Sequence, residues 1–200
     1  MKMYKDIEQR SVDWFALRMG KATGSVADKV VSDSSPFKTL VMQKACEWIN
    51  QKSVESGYFN DDMQRGIDNE NIARMLYEMK TGNRVDHCAF IEYNDYAGYS
   101  PDGLVDDDGM IEIKCPRANT HLSYMVGGIP SNYRWQMQFG LFCSGRQWCD
   151  FVSFNEDFDD EHKIFTSRFG IDTKAQTKIR TKLMEFENEI KEIIRKYGEL

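Results

Sequence analysis

The hydrophobic period of this chain first changes near Thr81-Gly82, and that change constrains the fold class more than any other feature. Before it, apolar residues recur at helical spacing. Ser11 is placed to cap a short helix, Val12 to Met19, which Gly20 ends. A second short helix follows Thr23 or Gly24 and ends near Ser32, and Asp33-Ser34-Ser35-Pro36 reads as a turn. Leu40, Val41, Ala45, Trp48 and Ile49 mark a helix from Phe37 to about Ser53. Gly57 to Asp61 breaks it, and Asp62 is placed to cap the next, which carries Ile67, Ile72, Ala73, Leu76 and Tyr77 on one side. After Gly82 apolar and polar residues alternate. Arg84 to Tyr93 reads as one strand. Tyr96 to Val105 and Gly109 to Cys115 read as the arms of a hairpin, with Asp108-Gly109 as its turn because glycine tolerates positive φ. Helices over Ala118 to Met125 and Ser131 to Cys143 follow, then strands over Gln147 to Phe154 and Ile164 to Phe169. Asp172 caps a long last helix to about Lys196, with Ile179, Leu183, Phe186 and Ile190 on its apolar stripe. That order predicts an α/β (α+β mixed) protein with a central mixed β-sheet flanked by helices.

Across 200 residues there is no repeat, no Gly/Ser-rich hinge and no linker, so one domain, 1–200, is expected. No apolar run reaches about 18 residues, which predicts no transmembrane helix. The opening stretch MKMYKDIEQRSVDW has no apolar core and is not expected to be a signal peptide. Five cysteines, an odd number with no C-x-x-C pair, predict reduced and mostly buried thiols in a cytoplasmic protein, with no zinc or iron–sulfur site. The net charge of −6 argues weakly against a nucleic-acid partner, because phosphate binding wants a basic footprint. An enzyme that holds divalent metals through carboxylates is locally acidic, however, and can confine its cations to one groove. Composition therefore leaves the substrate open.

The stretch SPDGLVDDDGMIEIKCP, Ser100 to Pro116, carries five acids and one lysine. Asp106, Asp107 and Asp108 are consecutive at the hairpin turn, lack EF-hand spacing and read as a solvated turn. Glu112 and Lys114 lie two apart and share a strand face, while Ile111, Ile113 and Cys115 share the other and are placed to pack in a core. Asp102 begins the opposite arm. Two acids and a lysine thus meet at one end of a sheet. Carboxylate oxygens suit Mg²⁺ or Mn²⁺, and such an ion activates water and neutralises charge on a phosphoryl transition state. A lysine beside it can position or deprotonate the attacking water. The same three residues are equally readable as a surface ladder of cross-strand charge pairs.

SPDG followed by IEIKCP resembles the core of the PD-(D/E)xK nuclease superfamily, and in detail the phage lambda exonuclease-like viral recombinase nucleases. Three further blocks resemble that family in its order: Trp14-Phe15-Ala16-Leu17-Arg18-Met19-Gly20 with Ala22-Thr23-Gly24-Ser25, Arg65-Gly66 with Glu70-Asn71-x-Ala73, and Tyr133-Arg134-Trp135-Gln136-Met137-Gln138. The resemblance implies a restriction-endonuclease-like fold. It implies Asp102, Glu112 and the Ile113 backbone carbonyl as metal ligands, with Glu70 adding a carboxylate directly or through water. It also implies Lys114 on the hydrolytic water, Gln136 helping to hold that water or a phosphate, and Arg18, Ser25 and Ser100 as a pocket for a 5′-terminal phosphate. Ser25 near a helix start would add backbone N–H groups and the positive end of a dipole. The implied activity is Mg²⁺-dependent 5′→3′ degradation of one strand of linear double-stranded DNA to mononucleotides, with Mn²⁺ as a substitute and two ions per site. The implied partners are DNA, two further copies in a ring-shaped homotrimer, and a single-strand annealing protein that takes the 3′ overhang; a phage or prophage origin in a bacterial cytoplasm follows. Arg65 departs from the pattern, and Ser32 to Asn60 aligns poorly, so no strand-splitting residues are assigned there. A PD-(D/E)xK endonuclease and a non-catalytic DNA-end-binding protein are the alternatives. The intact Asp102, Glu112 and Lys114 speak against the second. An iron–sulfur nuclease fails because no cysteine follows Cys149.

Overall fold

A computed structural model describes residues 1–53 and 61–197. The helices are α1 (Val12–Arg18), α2 (Ala27–Val30), α3 (Ser35–Asn50), α4 (Asp61–Thr81), α5 (Ala118–Gly127), α6 (Ser131–Ser144) and α7 (Thr173–Tyr197), with a three-residue 3-10 turn over Gly24–Val26. The strands are β1 (Lys2–Tyr4), β2 (Val85–Asp86), β3 (Phe90–Asn94), β4 (Ala97–Tyr99), β5 (Gly103–Val105), β6 (Gly109–Lys114), β7 (Trp148–Phe154) and β8 (Ile164–Gly170). They form a mixed five-stranded sheet, ordered β2-β5-β6-β7-β8, and a three-stranded sheet ordered β1-β3-β4. β6 and β7 run parallel, so the chain must cross over between them, and α5 and α6 make the crossing. The predicted mixed α/β class with a central mixed sheet is the one observed.

β6 is the central divider. Ile111 and Ile113 pack with Ala73 and Tyr77 of α4 and with Val152 and Phe154. On the other side Met110 joins the larger cluster of Phe37, Leu40, Phe139, Ile179, Phe186 and Ile190. Cys115 lies with the Ile111 group as its strand face requires. Each fully buried aliphatic or aromatic side chain contributes about 1.5–3 kcal/mol relative to exposure, and Ile179, Leu183, Phe186 and Ile190 are the stripe by which α7 docks. Asp172 caps it, accepting from the Lys174 and Ala175 amides at 2.9 and 3.1 Å. A further buried acid, Asp150, is accounted for structurally by Tyr77 at 2.7 Å and a two-pronged Arg168 at 2.7 and 2.8 Å.

Several boundaries differ from the sequence reading. The single strand expected over Arg84 to Tyr93 is two strands in different sheets: after Asp86 the chain leaves β2, and the Ala89 amide turns to the Tyr4 carbonyl at 2.9 Å. The arm Tyr96 to Val105 also splits, into β4 and β5, because Pro101 has no N–H to continue a ladder. Ser100-Pro101-Asp102 is the crossing between sheets. In the hairpin turn, Asp106 takes positive φ (47°) and Gly109 does not. Gly109 is needed for a different reason: a Cβ there would lie 2.1 Å from the Trp148 ring. Asp62 lies inside α4 and pairs with Arg65 and Arg117 at 2.8 and 3.0 Å. Ile72 faces outward, leaving Asn69, Ala73 and Tyr77 as the buried face of α4. The Asp33 to Pro36 turn already contains the start of α3, with Pro36 in its first turn, where the missing N–H costs nothing. α3 ends at Gln51 in the left-handed region instead of at Ser53. Ser131 is the first residue of α6, and Pro130 occupies the capping position. Of the expected break from Gly57 to Asp61, residues 57–60 lie outside the described residues and Asp61 is the first residue of α4.

All five thiols are free, and Cys46 alone is exposed. Burial pushes the Cys115 thiol up to about 12 and raises Cys88, Cys143 and Cys149 as well. A thiol-reactive disulfide reagent at pH 8 is therefore expected to titrate one thiol per native chain and five in denaturant; rapid reaction of two or more native thiols would contradict this packing.

Candidate active site

The crossing between the two sheets places the reactive groups. Tyr99 ends β4, Asp102 precedes β5, and Glu112 and Lys114 end β6 alongside. Glu112 is 1% exposed, which excludes the surface-ladder reading. Its Oε2 accepts the Tyr99 hydroxyl at 2.5 Å, and its Oε1 accepts Lys114 Nζ and, at 2.5 Å, Gln136 Nε2 from α6. Asp102 Oδ2 accepts the Ile113 N–H at 2.6 Å, so the Ile113 peptide is tied to the second acid. Asp102 Oδ1 accepts no hydrogen bond among the described residues, and Asp102 lines a cleft. Burial, then the nearby Glu112 charge, pushes the Asp102 carboxyl well above its ordinary range. Burial would lower the Lys114 pKa, but the Glu112 and Asp102 carboxylates outweigh it and hold the ammonium above the usual lysine value. Lys114 also lies 5.3 Å from the centre of the Tyr133 ring.

A second cluster lies on the other side of Ser100. α1 is capped by Ser11 Oγ, which accepts the Trp14 amide at 3.2 Å, and Gly20 in positive φ (73°) turns the chain after Arg18. The chain then clips to β4: the Ala22 amide donates to Tyr96 at 2.8 Å, and the Gly98 amide to Ala22 at 3.0 Å. Arg18, 8% exposed, consequently points its two terminal nitrogens at Ser100 Oγ (3.2 Å) and Thr23 Oγ1 (3.3 Å). Thr23 Oγ1 is 3.2 Å from Ser25 Oγ, and Trp14 Nε1 donates to Ser100 Oγ at 3.0 Å. The guanidinium stacks on Trp14, 4.1 Å from the ring centre. Arg18, Ser25 and Ser100 are thus brought together as expected. Ser25 sits in a three-residue 3-10 turn, however, and not at the start of a helix long enough to offer a dipole.

Both clusters open into one cleft of about 1100 Å³. Arg10, Arg18, Lys29, Lys44, Arg65, Lys114 and Arg117 line it, against Asp62, Glu70 and Asp102. A chain of net charge −6 therefore turns a mostly cationic surface inward. Glu70 is in the cleft, with its carboxylate held by Arg74 at 3.0 Å and Arg10 at 3.5 Å. Arg74 also donates to the Asp102 carbonyl at 2.9 Å, which links α4 to the crossing. Among the described residues no group of three or more acidic, thiol or imidazole side chains is arranged to hold a metal ion. The donor set is two neighbouring carboxylates beside a backbone strand, an open arrangement that suits a hard, partly hydrated divalent cation. The mutual repulsion of Asp102 and Glu112 is what such a cation would relieve. Tyr99, Thr23 and Trp14 were not assigned roles from sequence. Thr23 and Trp14 stand inside a recognised block, whereas Tyr99 reads as one more apolar strand residue.

Residues 13–147 match the YqaJ-like viral recombinase domain. The structure is similar to an alkaline exonuclease, LHK-Exo, from Laribacter hongkongensis: 35% identity, TM-score 0.81, 94% of this chain and 99% of that one covered. The same similarity holds for LHK-Exo solved in complex with dAMP. A phage related exonuclease from Haemophilus somnus 129PT, at 17% identity and TM-score 0.69 over 88% of this chain and 96% of that one, shares the fold. No curated protein matches the chain. The fold is restriction-endonuclease-like, and the chain belongs to the YqaJ-like viral recombinase family.

Proposed function

We propose that this chain, as one domain, is a Mg²⁺-dependent 5′→3′ exonuclease on linear double-stranded DNA with 5′-phosphorylated ends. It releases mononucleotides and leaves 3′ single-stranded overhangs. One observation carries the reading: the Arg18–Ser100 cluster and the Glu112–Lys114 cluster open into the same cleft and are joined by four residues, Tyr99 to Asp102. A terminal phosphate seated at one cluster puts the first phosphodiester within reach of the other. The relatedness to an alkaline exonuclease, and to its complex with a nucleoside monophosphate, supports the same reading.

The residues divide the work. Arg18 offers a fork to the terminal phosphate, and Ser100, Ser25 and Thr23 add hydroxyl hydrogen bonds. Asp102, Glu112 and the Ile113 carbonyl are the groups to hold Mg²⁺, with Mn²⁺ as a substitute. That ion supplies charge neutralisation at the phosphoryl oxygens and lowers the pKa of water. Lys114 and Gln136, both already aimed at Glu112 Oε1, are placed to orient the attacking water. Glu70, held by Arg74 and Arg10, adds a carboxylate to the metal site directly or through water. The family resemblance supports a homotrimeric ring around DNA, a single-strand annealing partner and a cytoplasmic site of action. Among the described residues no helix is long and apolar enough to cross a membrane.

The test is digestion in Mg²⁺ of linear duplexes with 5′-phosphoryl or 5′-hydroxyl ends, beside a closed circular plasmid. Shortening of the phosphorylated duplex from its 5′ ends, with the circle intact, is the expected result. Cutting of the circle would make the protein an endonuclease and remove the end-phosphate pocket from the account.

A further inference from the structure

The two oxygens of Glu112 are held differently. Oε1 takes Lys114, which is 24% exposed, and Gln136, which is half-buried. Among the described residues Oε2 takes Tyr99 alone, and Tyr99 is 1% exposed. Lys114 lines the cleft and can exchange for a cation or a water, whereas a donor sealed in the core cannot. The Tyr99 ring is itself held between two glycines. A Cβ on Gly24 would lie 2.5 Å from it, and a Cβ on Gly140 2.6 Å. Gly24 adjoins Ser25 in the phosphate cluster, and Ser100 follows Tyr99 directly.

We propose that Tyr99 is a positioning residue of the metal site: its hydroxyl fixes the orientation of Glu112, and its ring makes that orientation depend on the Gly24–Ser25 turn. The inference rests on the reading of Glu112 as a metal ligand. A hydrogen-bond donor behind a ligating carboxylate sets which lone pair faces the ion, and loss of such a donor typically costs 10–100-fold in metal affinity. The Tyr99 hydroxyl is the donor in this pair, because a carboxylate oxygen can only accept. The nearest alternative is a purely packing role for the ring, which Phe would fill.

Free Mn²⁺ measured by electron paramagnetic resonance, in titrations of the DNA-free protein, separates these. Tyr99→Phe is expected to weaken Mn²⁺ binding by about 10–100-fold, with its capture of 5′-phosphorylated duplex in EDTA near the parent's and its melting temperature in EDTA lower by several degrees, because Glu112 Oε2 loses its donor. Glu112→Gln is expected to bind Mn²⁺ still more weakly. Parent-like Mn²⁺ affinity in Tyr99→Phe, with affinity lost in Glu112→Gln, would overturn the role of Tyr99 alone. Parent-like affinity in Glu112→Gln would overturn the metal-site reading and this inference with it. Should Tyr99→Phe not fold, Gly24→Ala decides, because its added methyl group pushes the ring off Glu112; unchanged Mn²⁺ affinity in that variant also overturns the proposal.

Discussion

Lys114→Ala is expected to lower the single-turnover rate of DNA cleavage by about 10²–10⁴-fold, the range for a positioned proton-transfer or water-orienting group. Binding to 5′-phosphorylated ends, measured in EDTA, is expected to change little, because the Arg18 cluster does not use Lys114. The variant should also fold. Removing one partner of a buried ion pair typically costs about 3–5 kcal/mol because the other charge is orphaned. Here Glu112 keeps Tyr99 on one oxygen and Gln136 on the other, and Lys114 is partly exposed, so the cost falls below that range. Cleavage within tenfold of the parent would mean that Lys114 is only the counter-ion of a buried glutamate. Equal loss of cleavage and end binding would mean that the two clusters do not divide the work.

How much of this was legible in the sequence depended on whether local chemistry or tertiary pairing decided each point. The face alternation of β6 was legible, because a strand period of two sends Glu112 and Lys114 one way and Ile111, Ile113 and Cys115 the other. The caps of α1 and α7 were legible because Ser11 and Asp172 act on amides two or three residues away. The two-sheet arrangement was not. β1 has three residues and no period of its own, and it exists only because β3 offers an edge. The division of Arg84 to Tyr93 follows from which sheet each half pairs with, which no local pattern states, whereas the division of Tyr96 to Val105 is marked in the sequence by Pro101. The same limit hid Tyr99. Its ring belongs to the core and its hydroxyl to the site, and only the fold shows that one side chain serves both. The net charge misled for a related reason: it sums the whole chain, while binding depends on the cations that the fold gathers in one cleft.

Arg18→Ala is expected to collapse the preference for phosphorylated ends, with the ratio of initial rates on 5′-phosphoryl and 5′-hydroxyl duplexes falling toward unity. A hydrogen bond to a charged group contributes about 1.5–3 kcal/mol, so the lost fork corresponds to a factor of at least about 10–100. The rate on hydroxyl ends is the internal control. It should be close to the parent's, since Ser100 Oγ retains Trp14 Nε1 and the crossing that carries Asp102 stays anchored. Arg18→Lys is not expected to restore the preference. An ammonium cannot address Ser100 and Thr23 with two nitrogens at once, and it loses the planar stacking on Trp14. A phosphate in the pocket would meet a guanidinium already oriented by those three contacts, so little side-chain freedom remains to be lost on binding. That preorganisation separates a dedicated phosphate pocket from a surface arginine that meets DNA by charge alone. If both end types slow equally in Arg18→Ala, the residue supports general DNA binding, and the end-phosphate pocket must be sought elsewhere in the cleft.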